Sequence, residues 1–450
     1  MPHKGLTRIT SETKERLIQQ GLEARAHRSE HADSRPELLK HAAADAAEVP
    51  EKFYRFHLHP GYQQLRVINE AAEKLGVGNP YFKVHDGIAG VTTRIGGREF
   101  VNFASYNYLG LCGDPRISQA AKDAIDTYGT SVSASRLVAG ERSIHRELER
   151  AIAAVYGAED AVVFVSGHAT NVTVIGHLFG PKDLILHDAL IHNSVLQGIR
   201  LSGAHRLPYP HGDWAAADAI LADQRRRFER VLIVTEGLFS MDGDYPDLPR
   251  FVDLKRRHRA LLMVDEAHAL GVMGKTGLGI AEHFGLPGDS VDIWMGTLSK
   301  TLASCGGFIA GDTALVEHLK FLASGFLYSV GMAPPVAAAA LAALNCMRAE
   351  PQRVADLQHR GVLFKNSARA AGIDVGSCAG LAIVPALTGS SARAVRLSQA
   401  LSERGIHVQP ILYPAVPEKS ARLRFFINSG HTENQILETV RALKEESARI

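Results

Sequence analysis

Four short segments of the sequence carry residues whose type and spacing suit chemistry. The run ALLMVDEAHALG is apolar and ends in Asp265, Glu266 and His268. In a parallel α/β sheet, ligands sit beyond the carboxyl ends of the strands. A carboxylate there can hold a cationic ring nitrogen through a charge-assisted hydrogen bond. Taken alone, D-E-A-H reads equally as simple strand-end polarity or as a helicase-type metal motif. A helicase also needs a GxxxxGK[ST] phosphate loop, and the sequence has none. The run DIWMGTLSKTLASCGGF is a second apolar stretch, ending in Thr297, Ser299 and Lys300. A lysine at the mouth of an apolar strand is a candidate for a depressed pKa and Schiff-base chemistry. The ordinary alternative is a solvated loop lysine. Gly296, Ser304, Gly306 and Gly307 argue against it, because they leave room for a group to approach the backbone.

The third segment, FVSGHATN, reads as a strand, a tight Ser166-Gly167-His168 turn and a helix. The first amides of such a helix can cradle a phosphate. The fourth, LHDALIHNSV, sets His192 just after a strand, where a flat imidazole can stack on a heteroaromatic ring. A lone histidine is more often structural, and each segment by itself is a weak signal. Their order is what is specific: phosphate turn, histidine, strand-end aspartate, strand-end lysine. Together they supply a phosphate site, a stacking group, a partner for a pyridinium nitrogen and an amine for a Schiff base. These are the parts that a pyridoxal phosphate (PLP) site requires.

The elements that must position them follow from periodicity. AVVFVSG, DLILHD, RVLIVTEG, ALLMVDEAH and DIWMGTLSK are continuous apolar runs separated by helical stretches such as HATNVTVIGHLF. Strands buried on both faces read this way, which predicts a mostly parallel sheet with helices on both faces, its βα alternation starting near residue 88. After Pro334-Pro335 the pattern changes to an Ala-rich helix, a long polar helix, short strands at AIVPAL, HVQPIL and LRFFIN, and a last helix ENQILETVRALKEESA. That predicts a smaller α+β domain. Residues 1–60 are polar and short of strand formers, with helices expected in SETKERLIQQGLEARAHRSE and RPELLKHAAADAAEV; an amphipathic segment continues over 61–83, broken at Asn79-Pro80. The expected domains are therefore a helical extension over 1–85, an α/β domain over 86–333 and an α+β domain over 334–450.

Composition bounds the function. Charge is nearly balanced at +2, from 50 basic and 48 acidic residues, so nothing points to nucleic acid or a membrane surface. Cys112, Cys305, Cys346 and Cys378 are far apart and form no CxxC, which fits a reducing compartment. The first residues lack an apolar signal core and no run reaches membrane-spanning length, so the cytoplasm is the expected location. The histidines are scattered, and no metal site is expected.

The motifs NFASYNYLGL, ASRLVAGERSIHRELE, TEGLFSMDGD, MVDEAHALGVMGKTGLG, GTLSKTLASCGGF and LRFFINSGHT resemble those of the α-oxoamine synthases, over roughly residues 80–445. The resemblance implies the PLP-dependent transferase architecture called fold-type I. It implies Lys300 as the covalent anchor of PLP, Asp265 on the pyridine nitrogen, His268 on the phenolic oxygen and His192 stacked on the ring. Gly167 and His168 would offer amides to the phosphate and Thr297 a hydroxyl, with Ser240 near the cofactor. Asn107 and Arg424 would hold the amino-acid carboxylate. The implied reaction is a decarboxylative condensation of glycine, alanine or serine with an acyl thioester, on CoA or an acyl carrier protein, in a homodimer whose sites lie between subunits. His268 and His192 are both candidates to polarise the acyl carbonyl. Family members place a Ser/Thr pair ahead of the Pro-Pro, where this chain has YSVGMAPP; Val330 and Gly331 occupy hydroxyl slots and Ser329 is the candidate substitute. Residues 1–60 would dock a carrier protein or wrap the dimer. The rival readings are another PLP enzyme of the same fold, such as an aminotransferase or a β-eliminating lyase, and a non-catalytic partner subunit. Retention of Lys300, Asp265 and His192 weighs against the second.

Overall fold

In the computed structural model, residues 49–74 and 78–450 are described. The two helices expected within residues 11–49 lie, but for Val49, outside the described residues. The chain divides into two compact units, residues 1–71 and 72–450. In the first, two short turns at Glu51–Phe53 and Phe56–Leu58 precede most of helix α1 (Pro60–Lys74), which is shorter than the 61–83 segment expected from periodicity.

The second unit opens with β1 (Thr92–Ile95) and β2 (Arg98–Asn102). They form an antiparallel hairpin, which corrects the expectation that βα alternation starts near residue 88. The alternation starts instead at β3 (Asp160–Phe164), and continues through β4 (Leu184–Asp188), β5 (His205–Tyr209), β6 (Val231–Glu236), β7 (Leu261–Asp265), β8 (Ile293–Thr297) and β9 (Gly307–Gly311). Among the described residues these seven make one sheet in the order β3-β9-β8-β7-β6-β4-β5. β4 through β8 pair in parallel, and β9 runs antiparallel to both its neighbours.

The continuous apolar runs have the cause that the sequence suggests. Successive side chains of a strand point to opposite faces, and here both faces are covered. Leu184, Leu186, Val231, Ile233, Leu262 and Val264 join one core. Ile185, Leu232, Val234 and Met263, their alternating neighbours, join the other. Helices α2 (Gly167–Leu178) and α3 (Asn193–Ser202) close the second core with Val174, Ile175, Val195 and Ile199. The Ala-rich helix α4 (Pro334–Ala349) closes the first through Ala337, Ala340 and Leu344.

The C-terminal part holds helices α5 (Gln352–Ala370), α6 (Ser391–Glu403) and α7 (Glu433–Arg449), with β10 (Ile383–Leu387), β11 (Ile406–His407), β12 (Gln409–Ile411) and β13 (Arg422–Phe426). The single strand expected at HVQPIL is two: β11 joins β2, while β12 pairs with β13. Pro410 cannot donate to a ladder and is tolerated because β12 lies at the edge of the sheet β10-β13-β12.

Candidate active site

The chemistry-bearing residues converge where the parallel strands end. β6 finishes at Glu236 and β7 at Asp265, directly opposite one another in register. β8 finishes at Thr297, three residues before Lys300. Both acids are buried. Burial, reinforced by the charge of Asp265, pushes the Glu236 carboxyl well above the usual range. The His192 backbone amide and the charge of Lys300 act in the opposite direction and are outweighed. Asp265 accepts from the Asn171 side-chain amide at 2.9 Å and from the Ala267 backbone amide at 3.0 Å.

Burial pulls the Lys300 amine down to about 8, against the opposing pull of Asp265 and Glu236. Its Nζ lies 5.8 Å from the centre of the Tyr106 ring. A neutral amine is a nucleophile, so this lysine is prepared to attack an aldehyde. A cavity of about 400 Å³ runs past Lys300, lined also by Ser304, Tyr106, Asn107, His407 and Gln409.

His192 caps the N-terminus of α3 and its backbone amide donates to Glu236 Oε1 at 2.7 Å. Burial lowers its pKa, against the opposing pull of Asp265. His268 is buried, and burial, with the positive charges of Lys300 and Arg424, holds it far below its ordinary value. Its Nδ1 is 2.7 Å from the Tyr108 hydroxyl, and its ring lies parallel to Phe426 at 6.3 Å. Gly167 and His168 are the first two residues of α2, where amides have no partner within the helix. A Cβ on Gly167 would meet Thr297 Oγ1 at 2.8 Å, so the glycine lets the helix start against β8. The Thr297 hydroxyl itself donates to the Gly306 carbonyl at 2.8 Å.

Arg424 is the least satisfied group of the set. Burial lowers its pKa, its Nη1 donates to the Ser240 carbonyl at 3.1 Å, and its Nε has no hydrogen-bond partner. Among the described residues no carboxylate pairs with it. A half-buried guanidinium with an enclosed Nε and no counter-charge is suited to an anionic ligand. Ser240 thus meets Arg424 through its backbone. Asn107 donates one Nδ2 proton to the Ala89 carbonyl and accepts from the Cys112 amide, so most of its amide is used in shaping the cavity wall. Ser329 donates to the Val330 carbonyl at 3.2 Å. A Cβ on Gly331 would press on Val132 and Arg136 at 2.9 and 3.0 Å, so that slot has no room for a hydroxyl-bearing side chain.

These donors fit PLP group by group. There is an amine for its aldehyde, a carboxylate for its ring nitrogen, an imidazole for its ring face and free helix amides for its phosphate. Glu236, Asn171, Ser194 and Tyr108 complete the site, and motif reading missed them. The signal for Glu236 was available, since RVLIVTEG ends in an acid as ALLMVDEAH does.

The profile of the Aminotransferase class I and II family matches residues 98–443. An 8-amino-7-oxononanoate synthase from Symbiobacterium thermophilum is 40% identical over 348 residues, covering 77% of this chain and 88% of its own. A serine palmitoyltransferase structure from Sphingomonas wittichii shares 29% identity at a TM-score of 0.82, covering 87% of this chain and 98% of its own. A serine palmitoyltransferase variant from S. paucimobilis, solved with a bound PLP–myriocin aldimine, shares 27% identity at a TM-score of 0.83, covering 87% and 99%.

Proposed function

Because this chain belongs to the α-oxoamine synthases of the class I and II aminotransferase family, a fold-type I PLP-dependent group, we propose that it condenses glycine, alanine or serine with an acyl thioester. The acyl donor is carried on CoA or on an acyl carrier protein. The Cα–H bond of the amino acid breaks, Cα bonds the acyl carbonyl carbon and the thiol leaves. The carboxylate then departs as carbon dioxide and Cα takes back a proton, giving an α-amino ketone.

PLP, when bound, supplies the electron sink that makes the Cα–H acidic. Lys300 would be its covalent anchor, and the Lys300 Nζ as a free amine would remove the Cα proton. Asp265 would hold the ring nitrogen's proton by direct charge attraction. Gly167 and His168 would hold the phosphate with their backbone amides and Thr297 with its hydroxyl. His192 would stack on the ring, and His268 would reach the phenolic oxygen. Arg424, with Asn107, receives the amino-acid carboxylate. The observation that carries this reading is Lys300, an amine brought down to about 8 by burial at the strand ends where Asp265 also sits.

The proposal includes a homodimer with its sites between subunits. Exposed apolar side chains at Val138, Leu190, Tyr328 and Val330, on segments adjoining Gly331 and His192, support it. Sedimentation at assay concentration tests it, and a monomer with full activity would refute it. Cytoplasmic residence is supported by four cysteines that form no disulfide. Among the described residues no helix is long and apolar enough to cross a membrane.

The deciding experiment supplies PLP, a panel of amino acids and acyl thioesters of varied length, and follows carbon dioxide release with mass detection of the ketone. Keto-acid exchange without carbon dioxide would favour an aminotransferase instead.

A further inference from the structure

Asp265 and His192 are joined by two buried side chains. Asn171 is 1% exposed and lies on α2, one turn in from Gly167. Its Nδ2 donates both protons, to Asp265 Oδ2 at 2.9 Å and to Ser194 Oγ at 2.9 Å. Ser194, also 1% exposed, places its Oγ 2.7 Å from His192 Nδ1.

The donors available fix the direction of every proton. The Ser194 backbone amide donates to His192 Nδ1 at 3.3 Å, so Nδ1 is an acceptor. Ser194 Oγ, already accepting from Asn171, is left to give its one proton to the same Nδ1. A neutral imidazole that accepts at Nδ1 carries its proton on Nε2. The other end of the Asn171 amide is informative too. Its Oδ1 is buried with no partner. An unpaired buried acceptor is unfavourable, and an apolar side chain of that size would avoid it. What the amide supplies in return is its two donor bonds.

We infer that Asn171 and Ser194 are positioning residues that aim the Asp265 carboxylate and lock His192 in its Nε2–H form, as one hydrogen-bonded unit. The inference rests on the PLP reading of Lys300 given above. Its consequence is that the group on the ring nitrogen and the group stacked on the ring face are set together. His192 then presents a donor, Nε2–H, suited to an acyl carbonyl oxygen.

The test uses the full-length, PLP-loaded enzyme with Asn171→Ala, Ser194→Ala, Ser194→Thr and the double variant Asn171→Ala/Ser194→Ala. The readouts are the pH midpoint of the bound cofactor's visible absorption, kcat, and KM for the amino acid. Asn171→Ala removes a donor from Asp265, leaves more negative charge on it and raises nearby proton affinities. The midpoint should move up by about half a unit or more, and kcat should fall roughly 10-fold, as loss of an orienting outer partner commonly causes. KM should stay within about twofold, because substrate contacts are untouched. Ser194→Ala should lower kcat similarly but leave the midpoint in place, and Ser194→Thr should restore the rate. In the double variant the losses should not multiply, because both cuts break one chain. A wild-type midpoint in Asn171→Ala, or multiplied losses in the double variant, would overturn the inference. Absence of any PLP-dependent band in the unmutated protein would overturn the reading of Lys300, and this inference with it.

Discussion

Around Glu149, a carboxylate with no exposed side-chain surface is met by Arg136, by Arg146 at 2.6 Å, by Lys320 at 2.9 Å and by the Val163 backbone amide at 3.1 Å. Around Lys300, a half-buried amine lines the cleft and the half-buried guanidinium of Arg424 adds its charge nearby, with no carboxylate within ion-pair distance of either among the described residues. Burial alone would push the Glu149 carboxyl up, but Arg136 and Lys320 outweigh it and hold the group ionised below its usual range. At Lys300 burial wins over Asp265 and Glu236, and the amine comes down to about 8. Identical physics gives opposite outcomes because the partners differ. A buried charge that is fully paired locks chain segments together. One that is left short of partners keeps its interaction capacity for a ligand.

The comparison can be broken or sharpened in four ways. Lys300→Ala should abolish turnover and covalent PLP attachment while leaving the melting temperature nearly unchanged; borohydride treatment followed by peptide mass analysis reads the attachment. Normal activity in that variant would refute the assignment. Glu149→Gln should do the reverse, leaving Arg136, Arg146 and Lys320 without their shared anion. Breaking a buried ion cluster on one side costs ~3–5 kcal/mol. Denaturant unfolding should show that loss, with kcat of the remaining folded enzyme little altered. A variant as stable as the parent would mean that the cluster is not structural.

Asp265→Asn should retain PLP but lower kcat by roughly 10²-fold, as loss of a positioned electrostatic group does. A rate within about threefold of the parent would contradict its role opposite the ring nitrogen. The smallest effect is a pH dependence. A lysine with a depressed value is neutral above it and protonated below it. The rate of PLP loading onto the apoenzyme should thus fall about tenfold per pH unit below about 8 and flatten above it. Stopped-flow absorbance would measure this. A midpoint near the unperturbed lysine value of ~10.4 would show that burial does not act on this amine as described.

Much of this protein is legible without coordinates, and the reason is local. A strand buried on both faces must be apolar throughout, so DLILHD, RVLIVTEG and ALLMVDEAH announce themselves. Their chemistry sits in the few polar residues that follow each run, which is how Asp265, Lys300 and His192 can be found. β5 and β9 escaped, because HRLPY is a partly exposed edge strand with a proline and GFIAG is mostly small residues that also read as a turn. Pairings between segments distant in the chain were not legible at all. Nothing local in Asn171 says that its amide will bridge Asp265 and Ser194, 94 and 23 residues away. Nothing in Arg424 says that its Nε will be left without a partner.

The sequence by itself determined the class of fold, the order of the chemical groups along the chain and the cofactor they suit, because side-chain chemistry and periodicity are properties of short segments. Only the tertiary structure decided which groups are paired and which are left wanting, and hence which protons sit where. Burial and hydrogen-bond partnership arise from the meeting of distant segments, and they set the ionisation of Lys300, Glu236 and Glu149.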